Sequence, residues 1–297
     1  MNYLLEVNNL CKNYREFRLK NVSFKLPAGY IMGFIGPNGA GKSTTIKSIM
    51  GYINIDGGEI KVLGETVSRS DADYKQKIGY VGEEQYFIEN MTVGWTLNFV
   101  SKFYTTWDDK LSMHLLKKYN ISPSKKIREL SKGMRVKLSL MIALAHRPQL
   151  LILDEPTSGL DPLVRKEILD EFMEFVQDEN HGVFFSSHIT EDISRIADYV
   201  TYINNGEIIL SDEKDRLLSR WKKVKVDIKY ADEEVKENLR MYAQNAFYYT
   251  GITWDVERFK TIMKKKYPGA KIEIDNISLD DVLMSLVEVD KHASVSI

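Results

Sequence analysis

The sequence predicts an α/β fold built on a buried parallel sheet, followed by a smaller α+β unit. Two nearly continuous apolar runs, Ile31–Ile35 and Leu150–Leu153, are typical of strands buried on both faces of a parallel sheet. A third run of this kind is Val183–Phe185. Helical patterns lie between these runs, and such alternation of strand and helix indicates an α/β architecture.

A second set of strands shows a different pattern, because apolar and polar residues alternate along it. The segments are Tyr3–Val7, Val22–Leu26 and the pair Ile60 and Val62, which follows a Gly-Gly turn. Alternation of this kind indicates half-buried strands, and we expect them to be antiparallel. The fold therefore includes an antiparallel β part as well as the parallel core.

Helical and α+β patterns occupy the rest of the chain. The pattern from Thr92 to about Asn120 is helical, with Thr92 as the expected N-cap. Beyond about Ser211 a strand over Val224–Tyr230 and another over residues 272–274 precede a helix that begins at Ser278. We expect residues 213–297 to form a small α+β unit of their own.

Composition excludes several classes of protein. The chain has 297 residues, enough for about two domains. Its 41 basic and 42 acidic residues give a net charge of −1, which predicts no nucleic-acid partner. Its one cysteine, Cys11, cannot form an intrachain disulfide, and no apolar run reaches the length of a membrane-spanning helix. A soluble protein of the reducing cytoplasm is the expectation from composition alone.

A phosphate-binding loop follows the first buried strand. Residues 36–43, GPNGAGKS, fit the pattern G-x-x-x-x-G-K-[ST] between a strand and a helix. The glycines let backbone N–H groups converge on an anion, and the helix N-terminus adds partial positive charge. Lys42 supplies a charge for the outer phosphates, and the Ser43 hydroxyl is placed to bind Mg²⁺. The loop predicts a nucleotide site.

Two carboxylates end the strand Leu150–Leu153. At the carboxyl end of a parallel strand, Asp154 is expected near the Mg²⁺ that Ser43 binds. Glu155 is then placed to orient or deprotonate a water that attacks the terminal phosphate. Together with the loop, these residues predict hydrolysis of a nucleoside triphosphate.

Five motifs in this order resemble the ATP-binding subunit of an ABC transporter over residues 1–212. They are GPNGAGKST (36–44, Walker A), LSKGM (130–134, signature), LLILDEP (150–156, Walker B), SGLD (158–161, D-loop) and SSH (186–188, switch histidine). The resemblance implies a P-loop NTPase cassette. Such a cassette has a RecA-like parallel core, an antiparallel β subdomain and a helical subdomain, here inserted at about 86–135. Residues 213–297 would be an accessory domain.

The resemblance also assigns roles to individual residues. ATP and Mg²⁺ are the implied cofactors, with Glu155, His188, Lys42 and Glu83 as the catalytic residues and Ser43, Asp154 and Glu83 as the metal ligands. The implied nucleotide-binding residues are Tyr14, stacked on adenine, then Gly36, Asn38, Gly39, Ala40, Gly41, Lys42, Ser43 and Thr44, and across a dimer interface Ser131, Gly133 and Asp161.

The sequence departs from the family pattern at two places. The signature has Lys132 and Met134 where Gly and Gln are commonest, but Ser131 and Gly133 are kept. At the Q-loop position stands Glu83, with Gln85 two residues on. We favour Glu83 as the functional residue, and neither departure removes the expected general base.

The implied partners are a second cassette, as a homodimer or with a paralogue, and a separate transmembrane permease subunit. The chain would then act on the cytoplasmic face of the cell membrane. The sequence resembles the ATPase subunits of ABC-2-type exporters. Two alternatives stay open at this point. One is a soluble ATPase of the same family that acts on ribosomes or DNA, and the other is a regulatory nucleotide-binding subunit.

Two remaining clusters each allow two interpretations. Trp95, Phe99 and Phe103 recur every four residues, and we expect them in the core of the helical subdomain rather than in a groove for the membrane partner. For Tyr86 and Phe87 we give more weight to contact with the membrane partner. The basic run 264–266 is expected to be a solvated helix end rather than a lipid-headgroup site.

Overall fold

A computed structural model describes residues 2–67 and 73–293 of the chain. The chain divides into two compact units, Met1–Ser211 and Asp212–Ile297. Within the described residues, no helix combines the length and the apolar character needed to cross a membrane. Each unit is built around its own sheet or sheets.

A six-stranded sheet forms the centre of the first unit, in the order β10-β9-β3-β8-β7-β6. The pairs β3–β8, β3–β9, β6–β7 and β7–β8 are parallel, so the predicted parallel core is confirmed. The strands are β3 (Ile31–Ile35), β6 (Ile78–Val81), β7 (Leu150–Leu153), β8 (Gly182–Ser187), β9 (Tyr199–Asn204) and β10 (Glu207–Glu213).

The second sheet of this unit has the order β2-β1-β4-β5, and its pairs are antiparallel. Its strands are β1 (Tyr3–Asn13), β2 (Arg18–Pro27), β4 (Gly57–Val62) and β5 (Glu65–Thr66). Apolar residues of this sheet are buried together with those of the parallel sheet. The ring of Phe24 lies 5.4 Å from that of Phe34 and 5.3 Å from that of Phe184.

The helices of the first unit are α1 (Lys42–Ile49), α2 (Val93–Val100), α3 (Asp109–Lys118), α4 (Lys132–Ala145), α5 (Pro162–Phe175) and α6 (Thr190–Ile196). Thr92 caps α2 as predicted, since its side chain accepts a hydrogen bond from the Trp95 N–H. The helical pattern from Thr92 to Asn120 is not one helix, however. The backbone is extended at Tyr104, and Asp108 caps a new helix.

The prediction that Trp95, Phe99 and Phe103 belong to the core is wrong. Their exposed fractions are 39%, 43% and 61%, while the buried side of α2 carries Val93 and Leu97. Trp95 and Phe99 lie on the opposite side of α2 from these two residues, and Phe103 follows in the 3₁₀ turn after the helix. Neighbouring rings in the series are 5.2 Å apart, so the three residues form a continuous exposed aromatic stack.

The second unit is a four-stranded antiparallel sheet of order β12-β13-β11-β14, with a βαββαβ chain path. This order and path are those of the ferredoxin-like fold. Its elements are α7 (Lys214–Arg220), β11 (Lys222–Asp227), α8 (Glu233–Glu237), β12 (Arg240–Gln244), β13 (Tyr248–Thr253), α9 (Val256–Lys266), β14 (Ile272–Asp275) and α10 (Leu279–Ala293).

One local prediction in this unit needs correction, and another is confirmed. The strand predicted to reach Tyr230 ends at Asp227, whose side chain accepts a hydrogen bond from the Lys229 N–H and starts a short 3₁₀ turn. The basic run 264–266 is the exposed C-terminal end of α9, as predicted, and Lys266 also makes two ion pairs. Its Nζ lies 2.5 Å from Asp232 Oδ2 and 2.7 Å from Glu234 Oε2.

Asp232 connects α8 to α9 and gives the second unit a testable pH dependence. Its hydrogen bonds with Lys266 and with the Tyr267 hydroxyl hold the pKa of Asp232 down at about 2, from an ordinary 3.8. A carboxyl whose pKa is lower in the folded state stabilises the fold above its unfolded pKa, and this contribution is lost as the pH falls through about 2.

We therefore expect Asp232→Asn to lower the free energy of unfolding at pH 7. At pH 3 the difference in unfolding free energy between the variant and wild type should be smaller. Urea unfolding followed by circular dichroism at both pH values measures this. Glu233→Gln is the matched control, because the exposed pair that Glu233 makes with Lys236 contributes little. A difference as large at pH 3 as at pH 7 would contradict the role of the Asp232 charge.

Candidate functional site

The phosphate-binding loop lies between β3 and α1 and borders a cavity of about 860 Å³. Gly39 (φ 79°) and Gly41 (φ 113°) have left-handed backbone conformations that other residues rarely adopt. The cavity is lined by Glu16, Phe17, Pro37, Asn38, Gly39, Gly41, Lys42, Ser43, Thr44, Glu83, Glu155, Ser158 and His188. The sequence prediction and the cavity thus share most of their residues.

Two predicted members of the loop lie behind it rather than in the cavity. Gly36 is so close to the next strand that a Cβ there would be 2.3 Å from the Ile203 carbonyl oxygen. Ala40 is buried, and its carbonyl accepts a hydrogen bond from the Gly206 N–H at 3.0 Å. Both residues therefore fix the loop against the neighbouring backbone.

Lys42 is the buried cation of the site, with 6% of its side chain exposed. Its Nζ donates to the carbonyl oxygens of Gly36 at 2.7 Å and Pro37 at 3.2 Å. The same Nζ lies 3.2 Å from Glu155 Oε1, and the Glu155 side chain is 7% exposed. The charge of Lys42 is therefore shared between its own loop and the carboxylate at the end of β7.

Glu155 also contacts His188, which follows β8. Its Oε2 accepts hydrogen bonds from the His188 Nδ1 at 2.7 Å and from the His188 backbone N–H at 3.3 Å. The backbone of Glu155 is left-handed, with φ of 49°, a sparsely populated conformation for a residue of this type. The surrounding structure must therefore hold this residue in place.

Asp154 is more deeply buried than its neighbour, with 3% exposed. Its Oδ1 accepts a hydrogen bond from the Ser186 hydroxyl at 2.7 Å, and Ser186 Oγ in turn accepts from the Glu155 N–H at 2.9 Å. Burial, and then the charge of Asp154, raise the pKa of the Tyr80 hydroxyl. Asp154 is not among the residues that line the cavity, whereas the other two predicted metal ligands, Ser43 and Glu83, are.

The structure separates the two candidates at the Q-loop position. Glu83 borders the cavity. The side chain of Gln85 turns back onto its own loop, where Nε2 donates to the carbonyl oxygens of Gly82 at 3.0 Å and Glu83 at 3.2 Å. The carboxylate of Glu83, not the amide of Gln85, is therefore the group at the cavity.

The aromatic residue at the cavity is Phe17, not Tyr14. Tyr14 is 46% exposed and lines a neighbouring cavity, which Phe17 and Glu16 also border. The Phe17 ring lies against the phosphate loop, where a Cβ at Gly41 would be 2.8 Å from its Cζ. Sequence reasoning missed Phe17, although it follows Tyr14 by three residues in the same YREF segment.

The signature residues and Asp161 of the D-loop do not line this cavity, although Ser158, the first residue of the D-loop motif, does. Ser131 Oγ caps α4 by accepting from the Met134 N–H at 3.3 Å, and Asp161 Oδ1 caps α5 by accepting from two backbone N–H groups. Gly133 packs against Val164, since a Cβ there would be 3.1 Å from its Cγ1. Within one chain, the three residues predicted to face a partner's nucleotide, Ser131, Gly133 and Asp161, are not brought to the site of Lys42 and Glu155.

Comparison with known proteins identifies the family. Residues 19–158 match the family model described as ABC transporter. The linearmycin resistance ATP-binding protein LnrL of Bacillus subtilis is 35% identical over 73% of this chain and 71% of its own length. The lantibiotic transport ATP-binding protein SrtF of Streptococcus pyogenes is 35% identical over 71% of this chain and 92% of its own.

A solved structure gives the same result for the fold. The structure described as the ATP binding subunit of an ABC transporter superposes with a TM-score of 0.66 at 29% identity, covering 73% of this chain and 92% of the other. The predicted cassette fold is thereby confirmed. The chain belongs to the family of ABC transporter ATP-binding proteins.

Proposed function

We propose that this ATPase hydrolyses MgATP in the cavity beside the phosphate loop and drives export through a separate membrane-spanning subunit. One observation carries the proposal: Lys42, Glu155 and His188 converge at the cavity, with Glu155 in contact with both of the others. A phosphate-binding cation beside a carboxylate that a histidine orients is suited to attack of water on a phosphate, because the cation binds the phosphate and the carboxylate can accept the proton of the water.

The loop would bind the triphosphate through backbone N–H groups of residues 38–44 and the N-terminus of α1. The Lys42 ammonium group would leave Glu155 and pair with the outer phosphates, because the phosphates carry more negative charge than one carboxylate. Phe17 is placed to contact the base or the ribose at the cavity, and Tyr14 remains a second candidate for stacking on adenine.

Glu155 would act as the general base once it is released from Lys42. It takes a proton from water, the water oxygen bonds to the γ-phosphorus, and the bond from phosphorus to the β,γ-bridging oxygen breaks. ADP leaves with the electron pair of that bond. His188 donates to Glu155 Oε2 and would hold the carboxylate toward the water.

The residues at the cavity fit a magnesium ion that arrives with the nucleotide. In the described part of the chain, no group of three or more His, Cys, Asp or Glu residues could hold a metal alone. Ser43 and Glu83 border the cavity and Asp154 adjoins Glu155, which supplies the oxygen ligands that Mg²⁺ prefers beside phosphates. When bound, the ion would neutralise charge on the β- and γ-phosphates.

Residues outside the cavity support a second chain as part of the working enzyme. Ser131 and Gly133 lie at the N-terminal end of the 14-residue helix α4, whose partial positive charge suits a phosphate. A second copy, or a paralogue, could place its nucleotide there, with Asp161 at the interface. Each ATP would then lie between the phosphate loop of one chain and the signature of the other.

The exposed aromatic stack supports a membrane partner. Trp95, Phe99 and Phe103 form a contiguous apolar surface, whereas the partly buried Phe87 packs against the core of the helical region. Such contiguous surfaces mark interaction sites. We place the membrane subunit at this stack, which puts the chain at the cytoplasmic face of the membrane; Tyr86, which is 87% exposed, remains a second candidate for docking. The relatives named for lantibiotic transport and linearmycin resistance support an export role.

Glu155→Gln tests the general base. We expect this variant to hydrolyse ATP about 10²–10⁴-fold more slowly, because the amide cannot accept the proton. Binding of a fluorescent ATP analogue should persist, since the phosphate loop is intact. Phosphate release at saturating MgATP and fluorescence titration give the two quantities.

Lys42→Ala is the control that separates chemistry from binding, because it removes the cation that the phosphates need. This variant should lose affinity for the analogue as well as activity. Near-normal turnover by Glu155→Gln would rule out the assignment of the base.

Replacing Trp95, Phe99 and Phe103 together with alanine tests the docking surface. Affinity-tagged wild type purified from detergent-solubilised membranes of its own organism should recover a multi-span membrane protein, and the triple variant should lose it. Basal ATP hydrolysis should be unchanged. Met113→Ala is the matched control, because Met113 is an exposed apolar residue of α3 outside the stack. Equal recovery by wild type and triple variant would refute docking at this surface.

A further inference from the structure

We propose that Asp192 is a positioning residue for ATP hydrolysis, which holds the turn that carries Glu155 relative to the loop that carries His188. The inference rests on the proposed function, because it assumes that Glu155 is the base. Asp192 is not among the residues that line the cavity, and its side chain accepts hydrogen bonds from Thr157 and Arg165, neither of which has been assigned a catalytic role above. It acts through Thr157 and Arg165.

Asp192 is a buried carboxylate, with 1% of the residue exposed. Its Oδ2 accepts a hydrogen bond from the Thr157 hydroxyl at 2.7 Å, and its Oδ1 accepts from Arg165 Nε at 2.5 Å. Thr157 is also 1% exposed, so this hydrogen bond is shielded from water. Charged hydrogen bonds in such surroundings are strong, and each oxygen of the carboxylate has a partner.

The three residues belong to three segments that meet at the site. Thr157 lies two residues after Glu155, in the turn between β7 and α5. Arg165 is in the first turn of α5, where its N–H donates to the carbonyl of Asp161. Asp192 lies four residues after His188, in α6. One carboxylate therefore ties together the catalytic turn, the D-loop helix and the segment after the switch histidine.

The turn needs such a tie because its first residue is strained. Glu155 has φ of 49° and precedes Pro156, a position where extended backbone is preferred. A strained conformation persists only where its surroundings over-determine it. Ser186 anchors Glu155 from one side by accepting from its N–H, and Asp192 anchors the turn two residues further on.

This placement predicts an effect on turnover and not on nucleotide binding. Lys42 and the phosphate loop make none of their hydrogen bonds with Asp192, Thr157 or Arg165. Loss of the network would let the Glu155 carboxylate move from the water while the phosphates stay bound. Misplacement of a reacting group by about 1 Å costs about 10²-fold in rate.

The test uses two substitutions at one buried position. Thr157→Val keeps the shape but removes the hydroxyl, and we expect kcat to fall about tenfold or more with unchanged affinity for a fluorescent ATP analogue. Thr157→Ser keeps the hydroxyl and should restore kcat to within about twofold of wild type. Phosphate release, analogue titration and the thermal midpoint are measured for each full-length variant.

Thr201→Val is the matched control for a merely structural effect. Thr201 is also fully buried, and its hydroxyl bonds to Ser211 at 2.8 Å and Met32 Sδ at 3.5 Å, away from the cavity. It should lower the thermal midpoint like Thr157→Val but leave kcat unchanged. Arg165→Lys keeps the charge but not the geometry of the bond to Asp192, so it should also lower kcat. This variant replaces Thr157→Val in the test if Thr157→Val does not fold.

The outcomes distinguish the positioning role of Asp192 from the proposed ATP hydrolysis on which it rests. Equal kcat for Thr157→Val and Thr201→Val, or equal losses for Thr157→Val and Thr157→Ser, would overturn the role of Asp192 while wild type still hydrolyses ATP. The role would also be overturned if Thr157→Val lowered the affinity for the ATP analogue by the same factor as kcat. Absence of ATP hydrolysis by wild type would instead overturn the proposed function itself.

Discussion

The site depends on one buried ion pair, between Lys42 and Glu155. Both side chains are almost completely removed from water, and a buried charge without a partner is strongly destabilising. The pair therefore constrains the structure that surrounds it. Lys42 begins the helix after β3, Glu155 follows β7, and β8, which ends before His188, lies between those two strands. The three side chains meet because the carboxyl ends of neighbouring parallel strands lie at one edge of the sheet.

The same interaction explains how the site could respond to nucleotide. In this structure Glu155 is held by Lys42 on one oxygen and by His188 on the other. An arriving triphosphate would compete for Lys42 and leave Glu155 bound to His188 alone, which is the state suited to accept a proton from water. Binding would thus prepare the base. The buried link from Asp192 to Thr157 would keep the carboxylate at the correct distance during this exchange.

The sequence predicted local features well and contacts between distant segments less well. The phosphate loop, the parallel strands and the Thr92 cap are encoded by adjacent residues, so periodicity and motif spacing revealed them. Phe17 was missed because its place at the cavity depends on the packing of β2 and α1. The bond between Thr157 and Asp192 spans 35 residues and involves types that are common in loops, so no local pattern marks it. The aromatic stack was misassigned because four-residue spacing indicates one helix side without telling whether that side is buried.

The exchange of partners by Lys42 is tested most directly by a crystal structure with Mg²⁺ and a non-hydrolysable ATP analogue. The quantity to measure is the distance from Lys42 Nζ to Glu155 Oε1, which is 3.2 Å here. It should exceed the ion-pair limit of about 4 Å, with Nζ on the outer phosphates and Glu155 still hydrogen-bonded to His188. A bound analogue with the Lys42–Glu155 pair intact would contradict the account.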